Sequence, residues 1–392
     1  MSKAVYVVAG SRTPMGGLNG SLASLTASQL GSVAIAGALQ RARVEPAAVD
    51  EVYMGCVLPA GQGQAPARQA ALGAAIPSSV PCTTINKMCG SGMQTTIMGY
   101  HAIQAAAAEV MVCGGMESMT NSPYILPKVR QGLRMGHGQV LDHMFVDGLE
   151  DAYKGGLMGA FAQQTADQYG LTREQMDAFA IASLNKANAA IANGDLLAEI
   201  EPVSVTTRQG EVLVSVDEQP GQANVAKIPA LRPAFSKDGT VTAANSSSIS
   251  DGASALVLAS ERAIREQALQ PLARIVGVSS YAREPSEFTL APIGAMQKLL
   301  TKLDWQVADV DLFEINEAFA MVTMLAMREL HIPADKVNIY GGACAQGHPV
   351  GSTGSRIILT LITALQNKGL KRGIASLCIG GGEATAVAIE LI

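Results

Sequence analysis

The sequence predicts an α/β fold in two repeated halves, with buried strands between layers of helices. Short apolar runs alternate with helical stretches along the 392 residues. Hydrophobic residues make up 48% of the chain and charged residues 16%, which favours a large core over disorder. The runs that predict strands are 5–9, 51–57, 109–113, 273–279, 312–315, 376–379 and 386–391.

Three pairs of similar segments indicate an internal repeat with a period of roughly 265 residues. A similar shift places Cys89 and His348 at equivalent positions, each ahead of a predicted helix, over 93–108 and 353–366. The nucleophile candidate of one half would thus correspond to the imidazole of the other. The paired segments are 4–8 with 273–277, 49–53 with 310–314, and 112–117 with 377–383.

A stretch of about 130 residues interrupts the repeat and is interpreted as an insertion in the first half. It contains two predicted helices, 160–169 and 173–193, and the second begins with a capping-box pattern from Thr172 to Gln175. Long insertions of this kind are often binding lids. The predicted domains are 1–270, including the insertion at about 119–248, and 271–392.

Cys89, His348 and Cys378 lie in glycine-rich segments and are the strongest candidates for chemistry. Two thiols and an imidazole indicate a covalent nucleophile, its activator and a separate proton-transfer base. Because a helix N-terminus stabilises negative charge, we expect Cys89 to have thiolate character. The alternatives are a small buried cysteine and a structural histidine.

Two further segments supply candidate polar groups. Residues 380–382 are all glycine, and the N–H of Gly380 can face a developing oxyanion. Cradling a phosphate is the competing interpretation, although neither a P-loop nor a GxGxxG following a strand is present. Asn316 follows a predicted strand, a common active-site position in open sheets, and a helix N-cap is the alternative.

Composition narrows the classes of partner and compartment. The net charge of −5 argues against a nucleic-acid surface, and no run of about 18 apolar residues predicts a membrane span. The start of the chain lacks a signal-peptide pattern, and six cysteines in this length predict thiols in the cytoplasm. No Cys or His pair has metal-ligand spacing, so no metal site is expected.

Motif order and spacing make the chain resemble the thiolase family along nearly its whole length. The resemblance implies the thiolase fold: two βαβαβαββ halves in an α/β/α/β/α arrangement, with a loop domain inserted in the first. The blocks that carry it are 12–14, 86–92, 114–119, 316–320, and 341–351 with 378–382.

The resemblance also implies a role for each candidate. Cys89 would be acylated, and His348 would activate it and then donate to the thioester oxygen of the second substrate. Cys378 would remove the α-proton, and Asn316 would hold a water in the same oxyanion hole. The N–H groups of Cys89 and Gly380 would bind the acyl oxygen.

The binding residues follow from the same comparison of motifs. Ser247 would contact the pantetheine arm of CoA, while Phe235, Ala318 and Phe319 would form pocket walls. Leu157 and Met158 stand where short-chain members usually have His-Met, which predicts a more apolar pocket and weakens the expectation of strict acetoacetyl preference. The lining residues expected are Ser247, Phe235, Ala318, Phe319, Met158 and Leu157.

The activity implied is acetyl-CoA C-acetyltransferase activity by ping-pong kinetics, with acetyl-CoA, acetoacetyl-CoA or other 3-ketoacyl-CoA, and CoA as substrates and products. No cofactor, nucleic acid or membrane is expected, and the family suggests a homotetramer, a dimer of dimers, in fatty acid metabolism. A broader-chain 3-ketoacyl-CoA thiolase of β-oxidation remains the alternative. A non-catalytic acyl-CoA or lipid carrier on the same fold is a remote one. A ketoacyl synthase would use two histidines, whereas this chain has Cys378 at the third position.

Overall fold

The computed structural model describes residues 3–392, so Met1 and Ser2, with which the predicted first domain begins, lie outside the described residues. The first part of the chain alternates strands and helices, as the sequence predicts. Its elements are β1 Val5–Arg12, β2 Gly16–Gly17, α1 Ala27–Ala42, β3 Glu51–Gly55, α2 Pro66–Gly73, β4 Cys82–Ile85, α3 Ser91–Gln104 and β5 Val110–Ser118.

The middle of the chain contains the two predicted helices within mostly irregular backbone. The capping box at the start of the longer helix is confirmed, because the Thr172 side chain accepts a hydrogen bond from the Gln175 N–H. The elements are β6 Tyr124–Ile125, β7 Leu141–Asp142, α4 Met158–Gln168, α5 Arg173–Asn193, β8 Val203–Thr207, β9 Gly210–Val214 and α6 Glu218–Gln222.

The last part returns to alternating strands and helices. Its elements are β10 Ser250–Ser260, α7 Glu261–Glu266, β11 Ala273–Ala282, α8 Ala291–Leu303, β12 Leu312–Ile315, α9 Ala320–Leu330, α10 Ala343–Gln346, α11 Thr353–Lys368, β13 Arg372–Ile379 and β14 Glu383–Leu391. Short 3₁₀ segments lie at Pro46–Ala48, Val129–Gln131, Val225–Ala230, Pro285–Leu290, Val307–Asp309 and Ala334–Lys336, and a π-helical turn at Phe145–Leu149.

Ten of the strands form one mixed sheet whose order repeats, while β6 pairs with β7 and β8 with β9 in two separate two-stranded sheets. Strand β3 is parallel to β5, which continues through antiparallel β10 to β1, and β12 is likewise parallel to β13, which continues through β14 to β11. The halves join where β1 pairs with β11, over Val5, Tyr6 and Val7 only. This arrangement confirms the predicted fold class, a repeated α/β architecture.

The helices lie in three layers around the two half-sheets. Helices α1 and α2 cover the outer face of the first half, α8 and α9 cover that of the second, and α3 and α11 pack between them. The two central helices approach closely, since a Cβ at Gly354 would lie only 2.2 Å from the Met93 backbone nitrogen. None of the helices in residues 3–392 is long and apolar enough to cross a membrane.

The central strand β10 was not among the predicted strands. All eleven of its residues are buried, but alanine, serine and glycine make up much of it, and these have little intrinsic β preference. Its position between β1 and β5 supplies the pairing that its composition does not signal.

Candidate active site

Both central helices begin at a cavity of about 390 Å³. Cys89, His348 and Gly380 line it together, as does every predicted binding residue. The remaining wall is mostly apolar and comes largely from the middle of the chain. The predicted lining residues that the cavity brings together are Leu157, Met158, Phe235, Ser247, Ala318 and Phe319, and those that were not predicted include Phe145, Leu149, Phe288 and Val350.

Cys89 lies two residues before α3 and is half-buried. Met88 before it has a left-handed backbone, with a φ of 47°, which turns the chain sharply into the helix. Desolvation raises the pKa of Cys89 to about 11, although the N–H groups of Gly380 and of Cys89 itself oppose this. Burial therefore opposes the thiolate character expected from the helix terminus and favours a protonated thiol in the resting site.

His348 is buried and its ring is held from one side. Its Nδ1 lies 2.6 Å from the Thr353 Oγ1, while its Nε2 has no hydrogen-bond partner among the described residues. Burial and the positive charge of Arg356 lower the pKa of His348 to about 3. A neutral imidazole therefore lines the same cavity as the Cys89 thiol. Its Nε2 can accept the thiol proton when the sulphur attacks a substrate.

Cys378 and Asn316 are not in the cavity lining but lie close to it: Cys378 packs in one cluster with the wall residues Ala318 and Phe319, and Asn316 comes two residues before Ala318. Cys378 is fully buried near the end of β13, and burial, with a smaller effect from the nearby Cys89 sulphur, raises the pKa of Cys378 well above the ordinary value. Asn316 follows β12, whose parallel pairing sets Ile315 beside Ser376, two residues before Cys378. Both side-chain polar atoms of Asn316 are buried and have no hydrogen-bond partner within residues 3–392, so they remain able to bind a water or substrate atom.

The turn between β13 and β14 brings Gly380 to Cys89. Its tightness depends on Gly382, whose φ is 91° and where a Cβ would lie 2.5 Å from the Arg283 carbonyl oxygen. The Glu383 carboxylate then forms an ion pair with Lys87, two residues before the nucleophile candidate. The turn therefore places the Gly380 N–H where it lowers the pKa of Cys89, and its ion pair connects it to the Cys89 loop at the surface.

Glu117 anchors the histidine loop and was missed as a site residue. Its buried carboxylate accepts hydrogen bonds from the N–H groups of Val57 at 2.9 Å, Leu58 at 3.1 Å and Gly351 at 2.9 Å. Desolvation raises its pKa to about 7 against these donors. The motif 114–119 was noted in the sequence, but a single acidic residue on an apolar strand was the only signal of this role.

The binding residues are held by a short backbone pairing. The Ser247 N–H donates to the Ala318 carbonyl at 2.9 Å, and the Ala320 N–H donates to the Asn245 carbonyl at 2.8 Å. The Asn245 side-chain amide donates to the Asp177 carboxylate and to the Thr240 carbonyl, and these hydrogen bonds fix the same segment. Within residues 3–392, no group of three or more His, Cys, Asp or Glu side chains is arranged to hold a metal ion.

Comparisons with known proteins agree along the whole chain. The family described as "Thiolase, N-terminal domain" matches residues 5–262, and "Thiolase, C-terminal domain" matches residues 269–391. Acetyl-CoA acetyltransferase of Schizosaccharomyces pombe is 47% identical over 390 residues, 99% of each chain. That of Cupriavidus necator is 45% identical over 388 residues, 98% of this chain and 99% of the relative.

Two solved structures superpose closely on this one. The crystal structure of the Bacillus anthracis acetyl-CoA acetyltransferase has a TM-score of 0.97 at 41% identity, covering 100% of this chain and 99% of the other. That of the Acat5 thiolase from Ascaris suum, in complex with coenzyme A, has a TM-score of 0.94 at 40% identity and covers 100% of both chains.

Proposed function

The chain belongs to the thiolase family and is an acyltransferase enzyme, and we propose that it condenses two acetyl-CoA reversibly to acetoacetyl-CoA and CoA. The observation that carries the proposal is a mostly apolar cavity lined by Cys89, His348 and Gly380, in which His348 Nε2 has no hydrogen-bond partner from the part of the chain that the structure describes. The relative from Ascaris suum that binds coenzyme A supports CoA thioesters as substrates. Thiol and imidazole supply the proton transfers, so the proposal includes no cofactor.

The first half-reaction acylates Cys89. His348 Nε2 takes the thiol proton, and the sulphur attacks the thioester carbon while the N–H groups of Cys89 and Gly380 hold the oxygen. Each such donor is worth about 3–4 kcal/mol in the transition state. The bond to CoA then breaks, and the departing CoA sulphur takes a proton from Cys378. Acyl-Cys89, protonated His348 and a Cys378 thiolate remain.

The second half-reaction forms the carbon–carbon bond. Because burial raises its pKa, the Cys378 thiolate is a strong base, and it removes the α-proton of the second acetyl-CoA. Protonated His348 and a water on Asn316 hold the enolate oxygen. The enolate carbon attacks acyl-Cys89, and the released sulphur regains its proton from His348. Free enzyme and acetoacetyl-CoA result, which gives ping-pong kinetics.

Two cysteine variants test this division of roles. With acetyl-CoA, Cys89→Ser should form no acyl-enzyme detectable by mass spectrometry. Cys378→Ala should still become acylated, although more slowly because water must then protonate the departing CoA sulphur. It should lose condensation by about 10³-fold or more, because no base remains for the α-proton. Normal condensation by Cys378→Ala would contradict the base assignment. A wild-type enzyme that never becomes acylated would instead favour the acyl-CoA carrier.

The broader-chain thiolase is a second candidate because the cavity wall is mostly apolar. Leu157 and Phe288 face the same space as Cys89, and neither offers a hydrogen bond to a short polar acyl group. A thiolysis series with 3-ketoacyl-CoA substrates from four to sixteen carbons separates the candidates. Strong preference for acetoacetyl-CoA supports the proposed function, and equal or better rates with longer chains support β-oxidation.

A cytoplasmic homotetramer, a dimer of dimers, acting in fatty acid metabolism completes the proposal. The segment from 124 to 140 exposes apolar side chains, with Met135 98% exposed, Tyr124 68% and Val140 59%. Exposed apolar clusters mark contact surfaces, which supports an assembly through this segment. Light scattering at several concentrations should give four times the 40.5 kDa chain mass, and a monomer would contradict it.

A further inference from the structure

The two ring nitrogens of His348 have different surroundings. Nδ1 lies 2.6 Å from the Thr353 Oγ1, whereas Nε2 is buried without a hydrogen-bond partner among the described residues. A neutral imidazole carries its single N–H hydrogen on one nitrogen and a lone pair on the other. Which nitrogen carries the lone pair decides whether the ring can accept a proton from the cavity side.

A second contact of the Thr353 hydroxyl indicates where that hydrogen lies. Its oxygen is also 3.0 Å from the Pro349 carbonyl oxygen, which can only accept. The same carbonyl accepts the N–H groups of Ser352 at 2.9 Å and Thr353 at 3.0 Å, so it is fixed in the first turn of α11. If the hydroxyl donated to the imidazole instead, two oxygens 3.0 Å apart would face each other with no hydrogen between them.

The hydrogen-bond chain therefore runs from the ring into the helix. The His348 Nδ1–H donates to the Thr353 oxygen, whose hydroxyl donates to the Pro349 carbonyl. From this geometry we infer that Thr353 is a positioning residue, which fixes His348 in the Nδ1–H tautomer with the Nε2 lone pair free toward the Cys89 cavity. The inference rests on the proposed function, in which His348 Nε2 takes the Cys89 proton.

The position of Thr353 suits this role. It is the first residue of α11 and is fully buried, so its hydroxyl has no access to bulk water. Threonine has two χ1 rotamers open to it in a helix, and the contact of its Oγ1 with the Pro349 carbonyl at 3.0 Å selects one of them. Ring orientation is thereby tied to the start of a helix in the central layer, not to the glycine-rich loop that carries the histidine.

Thr353→Val and Thr353→Ser form a matched pair for the test. Valine keeps the shape but removes the oxygen, and serine keeps the oxygen. We expect Thr353→Val to lower the rate of Cys89 acylation by about 10²-fold, because the ring loses its fixed tautomer. Thr353→Ser should stay within about threefold of wild type, a rescue that a purely packing role of Thr353 would not give.

Solid-state NMR of enzyme labelled with ¹⁵N-histidine provides a readout that does not depend on activity. The His348 signals are identified by their loss in His348→Asn. Wild type and Thr353→Ser should show a protonated Nδ1 and an unprotonated Nε2, and Thr353→Val a mixture of tautomers. A protonated Nε2 in wild type, or full acylation by Thr353→Val, would overturn the inference.

The same spectra separate this inference from the proposed function. If Cys89→Ser were acylated normally, the assignment of the nucleophile would fail, yet the tautomer of His348 would still be decided by the ¹⁵N signals. If Thr353→Val unfolds, the wild-type spectrum alone decides the tautomer, and Thr353→Ser against wild type decides whether the hydroxyl suffices.

Discussion

The starts of α3 and α11 occupy equivalent places in the two halves, but one provides a thiol and the other an imidazole. Both helices lie in the central layer and approach each other closely at their first turns. Cys89 stands on a left-handed turn at Met88 and is half-buried. His348 is buried, and its loop is anchored by Glu117.

The difference follows from what each group must do in the proposed reaction. A nucleophile must be reached by the substrate and must form and break a covalent bond, so a loop that opens into the cavity at a helix start suits it. A base that serves two half-reactions must keep its ring in one orientation, and buried hydrogen bonds provide that. Equivalent positions in the two halves, the starts of α3 and α11, therefore have different surroundings.

A substitution that disrupts the close packing of α3 against α11 should have the largest effect on the free energy of unfolding. Gly354→Ala would place a Cβ 2.2 Å from the Met93 nitrogen, and neither buried helix can move away cheaply. We expect the free energy of unfolding to fall by about 3 kcal/mol or more. Chemical denaturation monitored by circular dichroism measures it.

Gly221→Ala is the matched control for that substitution. Gly221 lies in the short helix α6 and a Cβ there would meet no atom within 4 Å. Its stability should change by no more than about 1 kcal/mol. An equal loss in both variants would show that the close approach of α3 and α11 is not what limits Gly354.

The sequence revealed the repeat and the reacting groups, but not the contacts by which the starts of α3 and α11 differ. Cys89 and His348 could be found because glycine-rich motifs surround them. Glu117 could not, since its partners are backbone N–H groups of Val57 and Gly351, which any sequence supplies. Strand β10 was missed for the same reason, because tertiary pairing decides its structure.

Removing the Glu117 carboxylate should weaken the loop that carries His348 and leave the Cys89 loop intact. In Glu117→Gln the amide NH₂ faces backbone N–H donors, and we expect a loss of about 2 kcal/mol at pH 5. The folded pKa of Glu117, about 7, lies above its ordinary value of 4.5. The folded protein therefore binds this proton more tightly than the unfolded chain, and that stabilisation is lost as the pH rises between these values.

The pH dependence makes this prediction specific. Glutamine does not titrate, so the wild-type free energy of unfolding should fall relative to the variant by about 3 kcal/mol between pH 4.5 and pH 7. Denaturant titrations of both proteins at several pH values measure the difference, in which the contributions of all other groups cancel. A gap that stays constant from pH 5 to pH 8 would mean that Glu117 titrates normally.

The ion pair that holds the Cys89 loop should contribute least to stability. The Lys87–Glu383 ion pair joins the Cys89 loop to the turn that carries Gly380, but both side chains are partly exposed to water, 25% and 40%. Water and salt screen such pairs, so Lys87→Met should lower the free energy of unfolding by less than about 1 kcal/mol.

Arg265→Met, which breaks the exposed pair with Glu261, is the control. A much larger loss at Lys87, with slower acylation of Cys89, would show that the nucleophile loop also needs a fixed anchor, and the contrast between the two helix starts would not hold.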